Sequence, residues 1–138
     1  MSDAVAIDLP PEPESARRAR EQLKPFRGEL DERTFVDVCL LVDELVVEVL
    51  HTRDDSASSY DIHLRAAMDD GRVRIMVAQG RDAYRLPSRR PDPGDPGFGL
   101  HLVQRLSDRW GIRRDRDHAT VWLELLGKSR RATADQPT

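Results

Sequence analysis

Apolar residues recur along the chain with two different periods, and the switches between them divide it into elements. Ala4-Val5-Ala6-Ile7-Asp8-Leu9 reads as a short edge strand ending at Pro10. Ser15 is a candidate N-cap, after which Ala16, Ala19, Leu23 and Phe26 return at helical spacing until Pro25 and Gly28 close the helix. A longer helical pattern starts at Asp31 and runs to about His51. Its valines suit a strand, but strands rarely exceed about ten residues, so length makes it a helix. Phe35, Val38, Val42, Leu45 and Val49 form its core face. Asp37, Glu44, Glu48 and His51 fall on another face, with Leu41 between.

After a charged loop, 52–59, Tyr60, Ile62, Leu64 and Ala66 alternate with polar residues as in a half-buried strand. Asp70-Gly71 is a hairpin turn signal, and Val73, Ile75 and Val77 supply the returning strand. A long loop over 79–97, rich in Pro, Gly and Arg, leads to a helix that opens at Gly99, carries Leu100, Val103 and Leu106 inward, and ends near Arg109. Two short strands follow, around 110–114 and 120–126, with Asp115 to His118 as their turn. The polar tail 127–138 is expected to be disordered. This order predicts one domain over 1–126 of α/β (α+β) class: a two-layer sandwich with a mixed, mostly antiparallel sheet and helices on one face.

Composition narrows the function classes. The chain has 138 residues, 38% hydrophobic and 34% charged, with a net charge of −3, enough to bury one core. Its arginines are interspersed with acids, which argues against the concentrated basic face that nucleic acid requires. A single cysteine, Cys39, excludes an intrachain disulfide, and the absence of a signal peptide or membrane-length apolar run makes a cytoplasmic setting the expectation.

Two features carry candidate chemistry. Gly97-Phe98-Gly99-Leu100 places glycines directly before a helix, where bare backbone N–H groups and the positive helix end suit an anion such as a nucleotide phosphate. Glu44 and Glu48 stand one helical turn apart, so both carboxylates leave the same side of the long helix. One carboxylate there is able to orient a hydroxyl and the other to meet hydrated Mg²⁺; the plain alternative is a pair of solvated glutamates. Arg89 and Arg90 read as solvated arginines, and the histidines show no metal-ligand spacing.

These residues resemble a family. Pro11-Glu12-Pro13-Glu14-Ser15-Ala16, Leu41-Val42-Asp43-Glu44-Leu45-Val46 and Gly97-Phe98-Gly99-Leu100-His101-Leu102-Val103 are similar to segments of the anti-sigma-factor serine kinases of bacterial partner switching. So are Leu106-Ser107-Asp108-Arg109-Trp110-Gly111 and Thr120-Val121-Trp122-Leu123-Glu124-Leu125. Those kinases belong to the ATPase superfamily shared with gyrase, the Hsp90 chaperones, histidine kinases and MutL. The resemblance covers about 5–126 and implies the Bergerat-type ATPase fold.

It further implies Glu44 as the general base of a protein-serine kinase. Gly97, Gly99 and Leu100 would line the phosphates of ATP, and Thr120 the adenine side. Glu48 stands where the family has a Mg²⁺-holding Asn. Gln79, followed by Gly80, stands where it has an Asp that accepts the adenine amino group. Loss of a charge-assisted hydrogen bond costs about 1.5–3 kcal/mol. Two readings therefore stand. One is an ATP- and Mg²⁺-binding regulator that sequesters a sigma factor or similar partner, releases it to an anti-anti-sigma-type antagonist and phosphorylates a serine there. The other is a non-catalytic interaction module that has lost the nucleotide. Gln79 also leaves recognition of another purine open, and a homodimer is expected.

Overall fold

The computed structural model describes residues 4–52, 61–81, 83–84, 86 and 89–126, with side chains described except at 4 and 49–52. The tail, Tyr60 and the side chains of Val49 and His51, which figure in the sequence reading, lie outside the described residues. The elements run β1 (Ala4–Leu9), α1 (Glu14–Gln22), a 3₁₀ turn (Lys24–Phe26), α2 (Glu32–Thr52), β2 (Ile62–Asp69), β3 (Arg72–Gly80), α3 (Phe98–Leu106), β4 (Arg109–Arg114) and β5 (His118–Leu126).

Among the described residues, five strands form one sheet in the order β1-β2-β3-β5-β4, and every pairing is antiparallel. The expected two-layer, mostly antiparallel arrangement is met, with antiparallel pairing throughout. Hairpins explain this: Asp70 and Gly71 take positive φ at the β2–β3 turn. At the β4–β5 turn, Asp115 accepts the backbone N–H groups of Asp117 and His118.

Alternation gives the sheet a buried and an open face. Ile62, Leu64, Val73, Ile75, Val77, Val121 and Leu123 are fully buried beneath the helices. From above, Leu23, Phe26, Val38, Leu41, Val42, Leu45, Val46, Leu100 and Val103 close the core. Each such side chain removed from water contributes about 1.5–3 kcal/mol, which is what sets register and layer order. Helix α2 packs against both α1 and α3, with Arg20 and Asp43 paired at 3.1 Å across the α1–α2 seam.

Ser15 lies inside α1 rather than capping it. Pro13 holds the N-cap position, and the Ser15 hydroxyl donates to the carbonyl of Pro10 at 2.5 Å. No helix among the described residues is long and apolar enough to cross a membrane.

Candidate functional site at the junction of α2 and α3

The turn before α3 is built by glycine. Gly97, the N-cap residue, takes φ 91° with ψ −6°, a left-handed conformation that costs glycine no side-chain clash. At Gly99 the reason is space: a Cβ there would stand 3.0 Å from the Glu44 carbonyl oxygen and 3.0 Å from Cγ of Glu48. The first turn of α3 thus lies directly against the backbone of α2.

Glu48 turns into this junction and is only 3% exposed. Its Oε1 accepts the Gly97 N–H at 2.7 Å and the Gly99 N–H at 3.4 Å. A buried carboxylate is costly unless hydrogen-bonded, and here the free amides and positive end of α3 supply the compensation.

The second half of the junction is closed by a residue of the long loop. Tyr84 is fully buried. Its hydroxyl donates to the carbonyl of Leu45 at 3.2 Å and accepts from Gln79 Nε2 at 2.5 Å. Gln79 Nε2 also faces the Leu45 carbonyl at 3.3 Å, while its buried Oε1 has no hydrogen-bond partner. Burial, and then the negative charge of Glu48, pushes the Tyr84 phenol well above its ordinary pKa.

Tyr84 takes φ 60°, uncommon for an aromatic residue. Arg114 holds it there: Nη1 donates to the carbonyls of Arg81 at 2.8 Å and Ala83 at 2.6 Å, and Nη2 to that of Tyr84 at 2.7 Å.

Of the residues singled out in the sequence, the structure brings Glu48, Gly97 and Gly99 together at the junction of α2 and α3, where Glu44 takes part through its backbone carbonyl and Leu100 is buried in the core. Gln79 joins them through Tyr84 and Leu45, and Gly80 ends β3 beside it, its carbonyl accepting the Ala83 N–H. Thr120 does not join them. It pairs with Ala78 and opens onto the outer sheet face, among His63, Arg65, Met76, Arg113 and Trp122 around a depression of about 440 Å³. Ala119 is the buried residue opposite Gln79. The placement of Thr120 at a base is corrected accordingly: neighbouring strand residues point to opposite faces, so a shift of one position changes layers. Arg89 and Arg90 are exposed.

Tyr84 and Arg114 were not singled out from sequence. The signal available was an aromatic residue inside an otherwise polar loop just beyond Gln79-Gly80.

The arrangement does not fit a bound nucleotide. The amides that would meet phosphate already meet Glu48, and Nε2 of Gln79, though not its Oε1, is engaged by a fully buried Tyr84. Nor does Glu48 fit a Mg²⁺ ligand here, because the N–H dipoles aimed at its Oε1 favour negative charge and oppose a cation. Among the described residues, no three His, Cys, Asp or Glu side chains converge as a metal-holding group.

A two-layer domain with an antiparallel sheet, helices on one face and a glycine turn docked on an acid-bearing helix is an ATPase-type architecture. The chain belongs to the histidine kinase-like ATPase domain family, whose model matches residues 9–125. No curated protein matches it by sequence.

Among solved structures, it is similar to the RsbU and RsbW domains of Rv1364c from Mycobacterium tuberculosis. The TM-score is 0.69 at 23% identity, covering 93% of this chain and 33% of that chain. This chain therefore spans about a third of that protein. It also matches the histidine kinase domain of the blue-light activated histidine kinase from Erythrobacter litoralis EL346, with a TM-score of 0.47 at 21% identity over 73% of this chain and 48% of that one.

Proposed function

We propose that this chain is a regulator of the anti-sigma-factor type that acts as a non-catalytic protein-binding module on an ATPase fold. One observation carries the non-catalytic part of the reading: the Glu48 carboxylate accepts the Gly97 and Gly99 amides that a nucleotide phosphate would need. Membership of the histidine kinase-like ATPase family and a fold like that of a structure containing an RsbW domain support the regulatory part.

In this reading a sigma factor or related regulator binds the domain, and an anti-anti-sigma-type antagonist releases it by competition. No phosphoryl transfer is involved. The competing reading, with Glu44 as general base, Glu48 on Mg²⁺ and ATP on Gly97 and Gly99, requires both Glu48 and Tyr84 to leave the cleft.

Isothermal titration with ATP, ADP and GTP, each with and without Mg²⁺, tests the choice. The expected result is no saturable heat at millimolar nucleotide. Micromolar binding of any of the three overturns the non-catalytic reading. Titration of candidate sigma factors completes the test, the expected affinity being the same with and without Mg-ATP.

A further inference from the structure

We infer that the depression on the outer face of the sheet is a binding site for a flat dicarboxylate, a small molecule with a carboxylate at each end of an apolar body. None of its residues belongs to the junction of α2 and α3, so the site stands or falls separately from the proposed function.

Strand register builds it. Arg65, Met76 and Trp122 stand in one row across β2, β3 and β5. His63, Ala78, Thr120 and Arg113 stand in the next row, which continues onto β4. Ala78 and Thr120 are the short side chains between longer ones, so the face sinks there into the depression of about 440 Å³, a volume in the range of small-ligand cavities. Met76 and Trp122 give it an apolar wall. The indole leans across β4, where a Cβ on Gly111 would stand 2.7 Å from its Nε1.

The charges around the hollow differ in what answers them. His63 is paired with Asp8 at 2.6 Å. Arg74 lies 5.6 Å from the centre of the Trp122 ring and 3.9 Å from Glu124. Asp115, the acid in the lining, accepts the backbone N–H groups of Asp117 and His118. Arg65 and Arg113 also line the hollow and are exposed, and among the described residues neither has an acidic partner.

These two arginines occupy opposite rims. From β2 to β4 is three strand spacings, roughly 14 Å, with the Ala78–Thr120 floor between. A guanidinium fork receives a planar carboxylate through two parallel hydrogen bonds. Two such forks at either end of a shallow apolar floor select a thin molecule with two anionic ends. A single anion leaves one fork unused, and a neutral molecule leaves both.

Titration of the full chain with terephthalate, followed by NMR at an ionic strength held constant with sodium chloride, tests the site. The Trp122 indole N–H reports on it, and that of Trp110, packed against the core, is the control. The Trp122 signal should shift saturably at millimolar terephthalate or below while Trp110 stays in place. Benzoate should bind roughly fivefold to tenfold more weakly, and benzyl alcohol should leave the Trp122 signal unmoved. Arg65→Gln and Arg113→Gln, both at exposed positions, should each weaken terephthalate to the benzoate level. Either change should alter benzoate binding by only about twofold, because one fork remains. Absence of a saturable Trp122 shift, equal shifts at both tryptophans, terephthalate no tighter than benzoate, or variants that bind like the parent overturn the assignment.

Discussion

Arg114 and Tyr84 meet through the backbone: the guanidinium of one donates to the carbonyl of the other at 2.7 Å, and the same group takes the carbonyls of Arg81 and Ala83. One exposed arginine on β4 therefore anchors the backbone of a buried tyrosine. Charge-assisted bonds to carbonyls in partly exposed positions contribute about 1–2 kcal/mol together. Arg114→Ala should lower stability by about that much, and amide hydrogen exchange should rise first at 83–84. Arg114→Lys, which lacks the planar fork, should recover only part of the loss.

Tyr84 offers a pH-dependent test. Its folded pKa lies well above the ordinary 10.0 because burial, and then Glu48, disfavour the phenolate. The unfolded chain therefore releases this proton at lower pH than the folded chain does. The contribution is fully present below pH ~10 and is lost as pH rises from there toward the folded value. Denaturant midpoints should fall above pH ~10 in the parent chain, and less steeply in Tyr84→Phe. At neutral pH, Tyr84→Phe should cost about 1–2 kcal/mol by leaving the Gln79 and Leu45 groups under-satisfied. Tyr84→Ala should cost about 3–5 kcal/mol through the cavity.

Gly99→Ala tests the close approach of α3 to α2. The added Cβ meets backbone at 3.0 Å, which cannot swing aside, so α3 must shift, at a cost of about 1–3 kcal/mol. Gly28 has open space around the same added atom, and Gly28→Ala should leave stability unchanged or raise it by up to about 1 kcal/mol. Chemical denaturation of the two variants side by side separates the contact from the general effect of replacing glycine.

On the outer sheet face, Glu124 lies within 3.8–3.9 Å of Arg72, Arg74 and Arg109 and is 8% exposed. One carboxylate among three arginines offsets their mutual repulsion. Glu124→Gln should destabilise by about 1–2 kcal/mol in dilute buffer. The difference should shrink toward zero in 1 M salt, where the Debye length is about 3 Å. A difference independent of salt would assign the effect to packing.

Much of the architecture was legible in local pattern. Alternation over 60–66, 73–77 and 120–126, helical spacing from Asp31 to about His51, and Asp70-Gly71 at the hairpin place those elements within two or three residues of where they lie. The first helix, by contrast, ends at Gln22, before the apolar spacing to Phe26, and the third at Leu106 rather than near Arg109. Such signals work because burial of one face dictates the spacing of apolar residues along that segment alone. The pairing of the acid-bearing helix with the glycine turn was also anticipated from sequence.

What occupies their junction was not legible. Glu48 and Gly97 are 49 positions apart, and whether a carboxylate there faces a cation, a phosphate or bare amides depends on an approach that no local pattern encodes. The same holds for Tyr84, whose backbone carbonyl is held by Arg114 thirty residues away, and for the choice between Ala119 and Thr120, which rests on strand register. Sequence by itself determined the layers and the two polypeptide segments that meet. Only the tertiary structure decided that they meet without a gap, because hydrogen bonding and steric exclusion at a junction are properties of distance in space.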